Sequence, residues 1–257
     1  HDALPIYLLA VSFSTPDYIG HSFGPNSWET MDGYIKLDEV LAQLFSALDK
    51  QVGKDNYTVF LTADHAVANV PGFGQKHKLP NGTISDDAIK NDIGKMLVSK
   101  GLSAKLITAV TEFNVHFNHS LMDSLQISQE KLVGLVTNFL EQKNNILQVV
   151  ESRKAAYAPF PESIRERIVN GYTPQRSGDL MFITKSGVVG GGNTGTGHGV
   201  FYNYDAHIPL LWYGKGIKKG QVNSVNYMTD IAPTVTTLLG IQMPSGSVGK
   251  VLEEVIK

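Results

Sequence analysis

Tyr57-Thr58-Val59-Phe60-Leu61-Thr62 runs directly into Ala63-Asp64-His65. Six residues dominated by β-branched and aromatic side chains, apolar on both faces, predict a strand buried within a parallel sheet. That strand delivers a carboxylate and an imidazole at its carboxyl end, the edge where open parallel sheets gather ligands. Working backwards, Ser27 to Val52 predicts a helix, because Tyr34, Leu37, Leu41, Leu44, Phe45 and Leu48 step by three and four. Asn26 with Glu29 resembles a capping box at its start, and Gly53 suits its end. Before it, Leu4-Pro5-Ile6-Tyr7-Leu8-Leu9-Ala10-Val11-Ser12 is a second unbroken apolar run and a second predicted buried strand. Strand, helix and strand in this order imply a right-handed parallel crossover. The expected fold class is therefore α/β, with a mostly parallel central sheet flanked by helices. Chain termini usually lie in polar, exposed segments. A start inside a buried strand raises the expectation that further sequence lies upstream.

Working forwards, Asp86 to Lys100, Gln129 to Gln142 and Pro161 to Val169 predict helices. Lys105 to Phe117 alternates and is rich in Val, Ile and Phe, which predicts one strand, and Leu147 to Val150 predicts another. Residues from about 86 to 176 read as an inserted subdomain. Asp179 to Thr184 predicts a further strand, followed by a Gly-rich loop from Gly187 to Gly199. Ile208 to Tyr213 is the last predicted strand, with Pro209 confining it to an edge or to its first residues. Thr229 opens a final helix through Leu239, which Gly240 terminates.

Composition narrows the function classes. The 257 residues are 42% apolar and 18% charged, ample for a packed core and unlike a disordered or coiled-coil chain. Lys+Arg 22 against Asp+Glu 24 leaves a formal charge of -2, so no basic excess exists for neutralising a nucleic-acid backbone. Zero cysteines exclude disulfides, thiolate metal sites and a thiol nucleophile. The longest apolar run is too short to span a bilayer and lacks the flanks of a signal peptide. The expectation is a soluble chain whose partner is neither nucleic acid nor membrane.

Two segments carry carboxylate and imidazole together: Asp17-Tyr18-Ile19-Gly20-His21 and Asp64-His65. The first pair is one helical turn apart, so coiling of that loop would bring both side chains to one point. A third imidazole, His198, sits in Thr194-Gly195-Thr196-Gly197-His198-Gly199, where flanking glycines permit a tight backbone. Oxygen and nitrogen donors without sulfur suit a catalytic zinc site. Against this stand two plainer readings: a loop histidine as a hydrogen-bonded surface residue, and an aspartate after a strand as a helix cap. Gly190 to Gly195 formally fits G-x-G-x-x-G, but no helix follows and no acidic residue stands at the required distance, so it is not read as a dinucleotide site. No Walker A run, H-E-x-x-H, EF-hand loop or G-x-S-x-G elbow occurs. His77, His116, His119 and His207 are expected to be structural or exposed.

Taken together, the segments show a resemblance. Asp17-Tyr18-Ile19-Gly20-His21-Ser22-Phe23-Gly24-Pro25-Asn26-Ser27 resembles the first metal motif of the alkaline phosphatase superfamily, in its monomeric periplasmic type grouped with type I phosphodiesterases and nucleotide pyrophosphatases. Phe60-Leu61-Thr62-Ala63-Asp64-His65 is similar to the second motif, and Gly197-His198-Gly199 to the last. Asp230-Ile231-Ala232-Pro233-Thr234 with Leu238-Leu239-Gly240 resembles the superfamily's C-terminal helix.

The resemblance implies two zinc ions, one held by Asp17, His21 and His198 and the other in part by Asp64 and His65. It implies in-line phosphoryl transfer to a Thr or Ser nucleophile, with hydrolysis of a small phosphate ester, a monoester in preference to a diester. The family's N-terminal half supplies that nucleophile and a further Asp, and nothing before Asp17 matches them. The chain is therefore expected to be the C-terminal portion of the enzyme, without a nucleophile, inactive alone, partnered by the missing half, and holding at most one well-formed zinc site. A periplasmic or secreted location follows from the resemblance only. Ala66 stands where the family usually has Gly. Nucleotide pyrophosphatase/phosphodiesterase, sulfatase or phosphonate hydrolase chemistry on the same ligands, and a self-contained metal-binding or interaction module, are the competing readings.

Overall fold

The computed structural model describes residues 7–190 and 194–257. The chain divides into two compact units: one combines residues up to Ser14, Tyr34–Asp64 and Ile208–Lys257, the other Thr15–Gly33 and His65–His207.

The second unit is built on a four-stranded antiparallel sheet in the order Ile107–Thr111, Asn114–Phe117, Leu180–Thr184, Ile146–Glu151. Two helices bury one face each against it. Asp86–Ser99 inserts Ile89, Ile93 and Leu97, and Gln129–Leu140 inserts Leu132, Val136 and Leu140, both sets at four-residue spacing. Leu97, Leu132, Val136 and Leu140 are fully buried, and each such side chain contributes about 1.5–3 kcal/mol through removal from water. Ser85 and Ser128 cap these helices by accepting the amide hydrogens of Ala88 and Lys131. At the first helix's end, Gly101 at φ +75° lets the Leu102 amide reach back to the Leu97 carbonyl, as a left-handed cap requires.

The expected single strand over Lys105 to Phe117 is instead a hairpin. Glu112 (φ +46°) and Phe113 (φ +65°) turn the chain between its two strands. Such turns usually carry Asn-Gly, so the sequence offers no turn signal. Tertiary bonds hold the strained pair: the Glu112 amide donates to Asp86 Oδ2 at 2.7 Å, and the Phe113 carbonyl accepts from the Phe182 amide at 2.9 Å. Of the histidines expected to be structural or exposed, His119 lies 2.9 Å from Asp179, and His77 packs on Phe73.

In the first unit, Thr58–Thr62 pairs antiparallel with Leu210–Gly214, and the helix Ile231–Leu239 follows the second of these strands. Asp230 is buried at the start of that helix. Its two carboxylate oxygens accept the amides of Tyr227 and Lys250, while Thr234 takes the Leu252 amide, so the C-terminal segment is fastened back onto the helix. Gly240, at φ +64°, ends the helix.

Among the described residues no mostly parallel sheet forms. Among the described residues only Gly82–Thr83 and Val188–Val189 pair in parallel, and every other ladder is antiparallel. The parallel reading rested on runs apolar on both faces, yet neither Thr58–Thr62 nor Leu210–Gly214 is fully buried on either face. Of the apolar run Leu4 to Ser12, Leu4–Ile6 lie outside the described residues, and residues 7–12 form no strand, leaving Tyr7, Leu8 and Leu9 at 70% exposure or more. A strand exists only as a rung of a hydrogen-bonded ladder, and no described strand pairs with this run. The strand–helix–strand crossover inferred from it is therefore absent among the described residues.

Candidate metal centre

The loop that carries Asp17 and His21 does coil: Thr15–Phe23 is a helix. Pro16 is tolerated in its first turn, where an amide hydrogen has no helical partner, and Gly24 at φ +81° closes it through a bond to the Gly20 carbonyl. Asp17 and His21 fall four residues apart on one face, with His21 Nε2 3.4 Å from Asp17 Oδ2. The next helix, Trp28–Gln51, begins at Ser27 and not at an Asn26–Glu29 box: Ser27 Oγ accepts the Thr30 amide, and the Ser27 and Thr30 hydroxyls both donate to the Gly24 carbonyl. Asn26 is engaged elsewhere, donating to Asn69.

His198 is brought to this helix by the loop that precedes it. Residues 191–193, the centre of the G-x-G-x-x-G match, lie outside the described residues; a four-residue helix, Asn203–Ala206, does follow the loop. Gly195 lies so close to the His21 carbonyl that a side-chain carbon there would sit 2.1 Å from its oxygen. The neighbouring Thr196 carbonyl receives the His21 Nδ1 hydrogen at 3.0 Å. A carbonyl can only accept, so His21 donates from Nδ1, and in the neutral imidazole the lone pair then lies on Nε2. His198 Nε2 lies 3.2 Å from His21 Nε2 and 3.7 Å from Asp17 Oδ1.

His65 joins the cluster. Its ring stacks on His198 with centroids 3.5 Å apart, its Nε2 is 3.9 Å from Asp17 Oδ1, and its Nδ1 faces the Ala66 carbonyl at 2.8 Å. Asp64 belongs to the first unit, where it is exposed just after the Thr58–Thr62 strand. Among the described residues, the carboxylates and imidazoles whose donor atoms lie within 4.8 Å of one another are Asp17, His21 and His198.

These residues fit a divalent cation. A carboxylate and imidazole lone pairs converge on one point, an arrangement that positive charge would complement. The two imidazole nitrogens are 3.2 Å apart, close to the edge of about 3.3 Å between ligands 2.0–2.1 Å from a tetrahedral zinc, and the Asp17 carboxylate offers Oδ2 to His21 at 3.4 Å and Oδ1 to His198 at 3.7 Å. The His198 imidazole is also held below the usual histidine range, chiefly by burial and then by the neighbouring His65, with Asp17 opposing. A histidine that resists protonation is a ready ligand near neutral pH.

The same shift sets a pH dependence of the metal-free protein. The unfolded chain protonates His198 more readily than the folded one, so this group removes stability as pH falls through the ordinary histidine value of about 6.5. After chelation, the melting temperature of the wild type should drop further between pH 7.5 and 5.5 than that of a His198→Gln variant. Equal drops would refute the assignment.

The profile described as type I phosphodiesterase / nucleotide pyrophosphatase matches residues 2–204. The chain belongs to this family. It is 42% identical to alkaline phosphatase PafA of Elizabethkingia meningoseptica over 96% of its own length and 45% of PafA's. It is 37% identical to a Myroides odoratus protein named calcium-transporting ATPase, over 97% of this chain and 46% of that one. With alkaline phosphatase PhoV of Synechococcus elongatus it shares 38% identity over 97% of this chain and 45% of PhoV. The crystal structure of wild-type PafA superposes with a TM-score of 0.90 at 42% identity, covering 95% of this chain and 46% of that one. The fold is accordingly alkaline-phosphatase-like α/β, and the chain spans a little under half the length of the relatives it matches. No described helix is long and apolar enough to cross a membrane.

Proposed function

We propose that this chain carries metal-binding residues of a zinc-dependent phosphoric ester hydrolase acting on small phosphate monoesters in preference to diesters. The observation that carries this reading is the convergence of Asp17, His21 and His198 in a family of phosphodiesterases, beside two relatives named alkaline phosphatase. Asp17, His21 and His198 would hold one zinc and leave a position open to a substrate oxygen or water. Asp64 and His65 would contribute to a second. Bound zinc supplies charge for the phosphoryl oxygens and lowers the pKa of attacking water.

The chain's own residues orient the donors. The Thr196 carbonyl fixes the His21 tautomer, so its Nε2 lone pair faces the site without a further proton transfer. The stacked His65 and His198 rings restrict each other's rotation, and the Asp17 carboxylate offsets cationic charge.

We further read residues 86–176 as a cap inserted into the catalytic domain, and the Thr or Ser nucleophile as lying outside this chain. The exposure of Tyr7, Leu8, Leu9 and Val11, together with a span under half that of the relatives, supports a further segment packing there. On the same reading the chain alone is inactive, and the whole enzyme is periplasmic or secreted.

The test is hydrolysis of 4-nitrophenyl phosphate, bis(4-nitrophenyl) phosphate and 4-nitrophenyl sulfate by this chain and by its complete gene product, with zinc or with EDTA. The complete product should cleave the monoester fastest and only with zinc, and this chain should stay at background. Zinc-dependent turnover by this chain would overturn the placement of the nucleophile, and preference for the diester or sulfate would overturn the substrate class.

A further inference from the structure

Asp205 is 2% exposed within the Asn203–Ala206 helix, and neither the motifs nor the cluster of donors includes it. Its Oδ2 accepts the amide hydrogen of Val200, two residues beyond His198, at 2.7 Å. Its main-chain carbonyl accepts the amide of Ala66, the residue after His65, also at 2.7 Å. One buried residue thus ties together the two segments whose rings stack at 3.5 Å with a 16° interplanar angle. Its other oxygen, Oδ1, is buried and has no hydrogen-bond partner among the described residues. A carboxylate oxygen withdrawn from water without a partner is costly, so a charge kept there calls for a compensating positive charge nearby.

We propose that Asp205 is a positioning residue of the metal centre: through Val200 and Ala66 it holds the His198 and His65 rings in register, and its buried charge complements the cation. This rests on the metal-binding reading above and extends it to a residue that does not touch the metal. Asp205→Asn keeps an oxygen for the Val200 amide but removes the charge. Asp205→Ala removes both.

The experiment titrates cobalt(II) into the chelator-treated full chain and follows its visible absorption, with thermal melts of the metal-free proteins confirming that each variant is folded. Wild type should bind cobalt with an intense four-coordinate spectrum. Asp205→Asn should keep that spectrum with cobalt bound about 10-fold more weakly, and Asp205→Ala should lose up to about 100-fold and change the band shape, the range expected for outer-sphere partners of metal ligands. Wild-type affinity and spectrum in either variant would overturn the proposal while leaving the metal centre standing. If Asp205→Ala does not fold, the Asp205→Asn affinity decides alone. Absence of cobalt binding by the wild type would overturn the metal reading and this inference with it.

Discussion

Asp17→Ala and His198→Ala should each abolish zinc retention by the purified chain, which in its unaltered form should carry about one zinc after dialysis. The size of the effect follows from the ligand count. Structural zinc sites bind with roughly 10–16 kcal/mol spread over four ligands, so one ligand is worth about 3 kcal/mol, or about 100-fold in affinity. Here the loss should be at least that large, because the group of mutually close donors among the described residues has three members and not four. The two variants differ in mechanism. Asp17→Ala removes the one carboxylate of the group, leaving the imidazoles of His21 and His198, 3.2 Å apart, with no anionic donor beside them for the cation. His198→Ala removes an imidazole and also the ring on which His65 stacks. His65→Ala, by contrast, should keep one zinc, because the three primary donors remain. Zinc measured by atomic emission, with competition against a chromogenic chelator for affinity, checks all three. Undiminished zinc in Asp17→Ala would remove the basis for the whole centre.

What the sequence makes legible follows from distance along the chain. Asp17 and His21 are four residues apart, and once that segment is helical their meeting is a matter of local geometry. The long helix Trp28–Gln51 and the two core helices of the second unit announce themselves through three- and four-residue apolar spacing. The features that escape are those decided by distant partners. Thr196 matters through a carbonyl that every residue possesses, and its contact spans from residue 21 to residue 196. Asp205 resembles any aspartate opening a short turn until its two amide partners are known. The Glu112–Phe113 turn is stabilised by Asp86 and Phe182, residues far away in sequence, against local preference. The direction of strands is equally non-local: Thr58–Thr62 reads the same whether its neighbour runs parallel or, as Leu210–Gly214 does, opposite.

Gly195 provides the sharpest separation between local and tertiary causes. The glycines around His198 suggest a flexible loop, yet Gly195 carries no left-handed φ, and what it supplies is room. A methyl group there would lie 2.1 Å from the His21 carbonyl oxygen, against backbone and not against a side chain that could swing aside. Relief requires the loop and the Thr15–Phe23 helix to part by about 1 Å, since ordinary carbon–oxygen contact lies near 3.3 Å and part of the overlap can be spread over both segments. Overpacking of this kind costs about 1–3 kcal/mol or more. The larger consequence falls on the site, because donor positions must hold to about 0.2 Å for a metal to be bound well. The Thr196 carbonyl moves with its neighbour, so the bond that sets the His21 tautomer is lost in the same step. Gly195→Ala should therefore lower the melting temperature of the metal-free chain and reduce zinc affinity at least 10-fold, although it alters no donor atom. Gly134→Ala is the control: it sits inside the Gln129–Leu140 helix, where an added methyl meets nothing within 4 Å. That change should leave zinc binding untouched and stabilise the chain by up to about 1 kcal/mol, the helix preference of alanine over glycine. Calorimetric melting with zinc titration of both variants checks the pair. Unchanged zinc affinity in Gly195→Ala would mean that the close approach of loop and helix does not set the geometry of the donors.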